Sequence, residues 1–168
     1  MNIQILIREQ LESVDRWTLN LVDGIPGSFW KINPPTIDTN LNWQIGHILV
    51  SKYFHAIACI NGPMPELNQN LPISEYMSLY NVGSQSNTHL EIKPNKERLL
   101  YDLNLINQLA IRFINDLSEE NLNLKTELPN PVAETKYDSL MWTFKHQMWH
   151  NGQIALLKKL LKDQNNGI

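Results

Sequence analysis

His146 and His150 lie four residues apart in the segment Lys145-His146-Gln147-Met148-Trp149-His150-Asn151-Gly152-Gln153. Four residues turn an α-helix through about 400°, so both imidazoles leave one face, a turn apart. Two histidines need this spacing to bind one transition metal. His47, in the apolar run from Leu41 to Ile60, offers a third imidazole. Three histidines from two packed helices leave a coordination position open, the pattern of a catalytic rather than a structural metal. A plainer reading stands beside this one: core histidines hydrogen-bonded to neighbouring carbonyls. A buried neutral histidine needs a partner for each ring nitrogen. A metal can serve one nitrogen while an acceptor behind the ring serves the other.

Several residues could support such a centre. His55 follows His47 by eight residues, about 80° round the helix, and is a candidate pocket residue. His89 falls in a polar loop and is expected to be solvated. Gly46 and Gly152 adjoin the candidate ligands, and glycine inside a helix costs about 1 kcal/mol relative to alanine. Both therefore suggest close helix approach. Trp30, Trp43, Trp142 and Trp149 read first as core and interface residues, though several could line an apolar pocket above a metal. Gln153 could donate a hydrogen bond near the site or pack between helices. Cys59, the single cysteine, sits in an apolar stretch and reads as a buried, inert thiol.

Other chemistries lack their residues. The sequence has no Gly-Lys-Ser/Thr phosphate loop and no His-Glu-x-x-His motif. It has no Glu-x-x-His motif of the kind that builds di-iron bundles.

Helical periodicity supplies the elements that must position these side chains. The first helix spans about Asn2 to Val22, with Ile3, Leu6, Ile7, Leu11, Val14, Trp17 and Leu21 as its apolar stripe. Arg8, Glu9, Glu12 and Asp15 fall outside that stripe. Gly24, Pro26 and Gly27 end it. Thr39 or Asn40 caps the second helix, Leu41 to Asn61, which Gly62 and Pro63 stop. A polar connection from Met64 to Lys93 holds one short helix, Ile73 to Tyr80. Such length inside a compact domain marks a crossover, a functional loop or both. The third helix runs from Asn95 to about Leu117, and Ser118 caps one extra turn. The fourth, capped by Asp138 or Ser139, runs to about Lys162. Short pieces between residues 124 and 135 have weak extended character. The expected fold is an all-α four-helix bundle with a long connection between helices two and three.

At 168 residues a single domain, spanning residues 1–168, is expected. A net charge of −3 without a dense basic patch argues against nucleic-acid binding. No apolar run approaches the roughly 20 residues of a membrane span. With one cysteine and no apolar leader, a cytoplasmic location is expected.

Three stretches together resemble the DinB-like superfamily of bacterial four-helix bundles. Asn42-Trp43-Gln44-Ile45-Gly46-His47-Ile48-Leu49 is similar to its Trp-x-x-x-His element on helix two. Leu117-Ser118-Glu119-Glu120-Asn121-Leu122 resembles the turn that follows helix three. His146-x-x-x-His150-x-Gly152-Gln153-Ile154 resembles the His-x-x-x-His-x-Gly-Gln signature on helix four. The resemblance covers nearly the whole chain. It implies that His47, His146 and His150 bind one divalent metal ion, commonly nickel or zinc, with iron or manganese as further options. It implies a homodimer and a small-molecule substrate. Characterised members include transferases of low-molecular-weight thiols (bacillithiol, mycothiol or glutathione) and a maleylpyruvate isomerase. A metal-binding or structural bundle without turnover is the alternative.

Overall fold

A computed structural model of the protein describes residues 2–165. In chain order its helices are α1 (Ile3–Val22), α2 (Leu41–Lys52), α3 (Cys59–Asn61), α4 (Ile73–Tyr80), α5 (Lys96–Asp116), α6 (Glu119–Leu122) and α7 (Lys136–Asn165). A π-helical turn, Tyr53–Ala58, joins α2 to α3, so the second bundle helix is one rod with a widened turn. The fold is all-α. Among the described residues, the only extended pairing noted is an isolated antiparallel bridge between Lys125 and Thr135. No helix among these residues is long and apolar enough to cross a membrane.

Short polar side chains start each bundle helix by accepting backbone N–H groups that have no helical partner. Asn2 accepts from Gln4 and Ile5, Asn40 from Trp43, and Asn95 from Arg98. α7 begins at Lys136, three residues before the expected start. Thr135 is the effective cap: its hydroxyl accepts the Asp138 N–H while the Asp138 carboxylate accepts the Thr135 N–H. Ser139, one of the expected caps, is fully buried and donates instead to the His55 carbonyl at 2.7 Å.

α1 and α2 each pack mainly against α5 and α7, so they stand diagonally across the bundle. α2 is buried on almost every side, because α4 from the long connection covers the face that α5 and α7 leave open. Gly46 is the point of closest approach. A Cβ there would lie 2.4 Å from the Tyr80 ring, so the crossover needs a glycine at this position. Gly152 has no such role, since nothing lies within 4 Å of a Cβ built there.

The centre of the bundle is polar. Lys52 of α2 forms an ion pair with Asp15 of α1 and donates to Asn107 Oδ1 of α5 at 2.7 Å. From α7, Gln147 donates to Asp15 at 2.9 Å and to Thr18 at 2.7 Å, and Asn151 lies 2.8 Å from the Thr18 hydroxyl. All four bundle helices thus meet at one buried charge pair. The expected apolar stripe of α1 is corrected accordingly: Asp15 lies inside, held by Lys52, while Trp17 is 51 % exposed. Burial pushes the Lys52 ammonium below its ordinary pKa, and Asp15 pulls it back up.

Removing one member of such a pair leaves a buried charge without a partner. Asp15→Ala should therefore lower the unfolding free energy by about 3–5 kcal/mol. Adding Lys52→Met should recover most of that loss. Urea denaturation of the single and double variants measures both, and equal losses in the two would exclude the stranded charge as the cause.

Candidate metal centre

α7 presents His146 and His150 from successive turns of one face, and α2 presents His47 opposite them. The Nε2 atoms converge: His146 Nε2 lies 3.3 Å from His47 Nε2 and 3.1 Å from His150 Nε2. Among the described residues these three form a group that could hold a metal ion, one ligand atom from each lying within 4.8 Å of the others. His47 and His150 are buried and His146 is half-buried. Trp43 stacks flat on the His47 ring, with centroids 4.8 Å apart and planes 6° from parallel.

Each Nδ1 atom is engaged on the far side of its ring. His47 Nδ1 donates to the Tyr80 carbonyl at 2.7 Å. His150 Nδ1 donates to Gln44 Oε1 at 2.6 Å. His146 Nδ1 lies 3.0 Å from the Ser51 hydroxyl. A backbone carbonyl only accepts, so His47 carries its proton on Nδ1 and offers a lone pair at Nε2. The Gln44 amide is oriented by its Nε2, which donates to Thr39 at 2.9 Å and to Gln153 Oε1 at 2.7 Å. His150 consequently has the same tautomer. Lone pairs that face one another this closely repel unless a proton or cation lies among them. A single proton on His146 Nε2 can point at only one neighbour at a time. Three neutral imidazole nitrogens with oxygen partners behind them suit a divalent metal ion.

The supporting residues were partly open to sequence reasoning. Gln44 and Ser51 stand three residues before and four after His47, on its helical face, so their spacing carries the signal. The Tyr80 carbonyl carries none, being a backbone atom delivered by the crossover. Gln153 sits one step farther out than expected, holding Gln44 rather than the centre. Trp30 is buried away from the site, and Trp149 is 65 % exposed at its rim. Cys59 is buried, and burial pushes its thiol upward, away from thiolate reactivity. His89 is an exposed loop residue with positive φ.

A cavity of about 460 Å³ opens on His47 and His146. His55, Phe54, Trp142 and Trp149 are among its walls. The π turn brings His55 here, because a wider turn rotates the chain less per residue than the 80° estimate assumes. A larger and more open cleft of about 670 Å³ lies beyond Pro131, Val132 and Trp142, lined by Lys125, Glu134, Asp138 and Lys145 but by no histidine. The smaller cavity is the one that meets two members of the triad, His47 and His146.

Burial holds the imidazoles neutral. It pushes His146 down to about 4 and His150 to about 3, with neighbouring histidines adding to the shift. His55 falls to about 4 for the same reasons. His47 is also lowered by burial, partly offset by the Tyr80 carbonyl. Between the ordinary value of 6.5 and about 4, the unfolded chain therefore takes up protons that the folded chain does not. Stability of the metal-free protein is expected to be flat above neutral pH and to fall as pH drops from about 6.5 towards 4. Urea midpoints measured across that range should show a shallower slope in the His47→Gln, His146→Gln, His150→Gln triple variant. A second expectation concerns Gly46→Ala, which displaces Tyr80 and with it the carbonyl behind His47. Competition with a chelator should show metal affinity reduced about 10–100-fold, the usual effect of losing such a partner.

The family model of the DinB superfamily matches residues 10–154. No curated protein matches the chain. A crystal structure of a conserved protein from Enterococcus faecalis is similar over 95 % of this chain and 97 % of its own, with a TM-score of 0.75 at 15 % identity. That likeness extends to the fold. The matched span contains α2, the crossover and all three converging histidines, and the chain belongs to the DinB superfamily.

Proposed function

We propose that the protein is a divalent-metal-dependent enzyme acting on a small molecule, with His47, His146 and His150 holding the ion through Nε2. The observation that carries this reading is the convergence of three neutral imidazole nitrogens, two of whose rings, His47 and His146, line an apolar cavity. The resemblance to the superfamily's thiol transferases directs this reading to transfer of a low-molecular-weight thiol to an electrophilic carbon, with a related hydrolytic step as the alternative reaction. When bound, the ion supplies Lewis acidity that makes a thiol or water nucleophilic at neutral pH. The chain's own residues do the remaining work. Tyr80, Gln44 and Ser51 hold the three rings in the orientation and tautomer that aim Nε2 inward. Trp43 fixes the plane of His47. Phe54 and Trp142 limit the water around the reacting groups.

Tag-free protein analysed by plasma mass spectrometry should carry about one divalent ion per chain, nickel or zinc. The His146→Ala, His150→Ala double variant should carry none while keeping its helical circular dichroism. Full occupancy in the double variant would remove these ligands from the proposal. Loaded protein should then accelerate consumption of a fluorogenic electrophile by a panel of low-molecular-weight thiols. Metal binding without turnover across that panel would favour the non-catalytic alternative.

A further inference from the structure

His55 is not needed to hold the ion, yet the residue is only 9 % exposed and lines the same cavity. Its tautomer follows from a chain of contacts. The Val132 N–H donates to Asn130 Oδ1 at 3.1 Å, which fixes the orientation of that amide. Asn130 Nδ2 then faces Ser139 Oγ at 3.1 Å and His55 Nδ1 at 2.9 Å. The Ser139 hydroxyl is already donating to the His55 carbonyl, so it accepts from Asn130. Because Asn130 Nδ2 is a donor, His55 Nδ1 accepts, and the His55 proton lies on Nε2. Among the described residues, no hydrogen-bond partner reaches that Nε2–H. A donor without a protein partner at the cavity wall is free to meet any acceptor that enters the cavity.

The rest of the wall limits what that acceptor can belong to. Phe54, Trp142 and Trp149 present aromatic surface, and no Asp, Glu, Lys or Arg lines the cavity. A carboxylate-bearing molecule such as a glutathione-like thiol finds no counter-charge there apart from a bound ion. A volume of about 460 Å³ suits a molecule of one or two rings.

We propose that this cavity is a binding site for a neutral aromatic small molecule whose carbonyl or ether oxygen accepts a hydrogen bond from His55 Nε2. The inference rests on the reading of the triad as a reaction centre, where this molecule is the electrophile and the charged body of the thiol lies outside. His55 is then a specificity-determining residue: it selects an oxygen-bearing apolar substrate and sets its distance from His47 and His146.

Acetophenone, ethylbenzene and benzoate serve as probes. Each is titrated by saturation-transfer NMR into as-purified and chelator-stripped protein, for wild type, His55→Phe and His55→Gln. Acetophenone should bind both preparations of wild type, weaken about five- to tenfold in His55→Phe, and recover to within about twofold in His55→Gln, whose amide still donates. Ethylbenzene should not respond to either substitution. Acetophenone indifferent to His55→Phe, or benzoate binding stripped protein as tightly as acetophenone, overturns the proposal. Long-range proton–nitrogen spectra of wild type give a test free of any variant: His55 should be protonated on Nε2 at neutral pH, and protonation on Nδ1 overturns it. Metal content measured on the same samples separates the two readings. The expected probe pattern without bound metal sinks the metal centre alone, whereas bound metal without the pattern sinks the cavity assignment alone.

Discussion

The buried pair of Lys52 and Asp15 sets the register of the whole bundle. A hydrophobic seam between helices tolerates small rotations, because one apolar contact can replace another. A buried ammonium tolerates little, since its partners must be within hydrogen-bonding reach. Lys52 is met by Asp15 from α1 and Asn107 from α5, and Gln147 of α7 closes on the same carboxylate. The residues of the candidate metal centre are sequence neighbours of this cluster. Ser51 precedes Lys52, His146 precedes Gln147, and His150 precedes Asn151. Neighbours on a helix point about 100° apart. Fixing Lys52, Gln147 and Asn151 at the centre therefore fixes Ser51, His146 and His150 at the adjoining angle.

The crossover does for α2 what the polar cluster does for α7. Tyr80 packs into the space left at Gly46, and its hydroxyl donates to Asn42 at 2.8 Å. Asn42 in turn donates to the Pro94 carbonyl, where the crossover rejoins the bundle. Lys31 reaches the Leu90 and Lys93 carbonyls, and the buried Lys93 reaches those of Gln85 and Ser86. The long polar connection is thus ordered by side chains that satisfy its backbone carbonyls. Its product is a carbonyl held in place behind His47.

The helices and the triad were legible because both rest on periodicity. Apolar spacing marked the four bundle helices, and the four-residue interval of His146 and His150 marked one face. Gly46 was legible for a related reason, as a costly residue in a helix interior. Gly152 looked the same in sequence, but its neighbourhood is open, so a helical glycine alone does not establish close packing. Asp15 misled because a lone acid beside a stripe reads as surface until its partner is known, and Lys52 lies 37 residues away. The start of α7 was displaced for a similar reason: Ser139 is a good capping residue already committed to the His55 carbonyl. The π turn left no mark on the apolar spacing from which the second helix was read.

That widened turn divides the second helix into two halves with separate phasing. The half that bears His47 is aligned by Lys52, Gly46 and Tyr80. The later half is aligned from outside the helix, through Ser139 on the His55 carbonyl and the Glu127 N–H on the Cys59 carbonyl at 2.9 Å. A change in the segment around Asn130 can consequently rotate His55 in the cavity wall while the half that bears His47 keeps its own contacts. The placements of His47 and His55, although carried by one continuous helix, are mechanically separable.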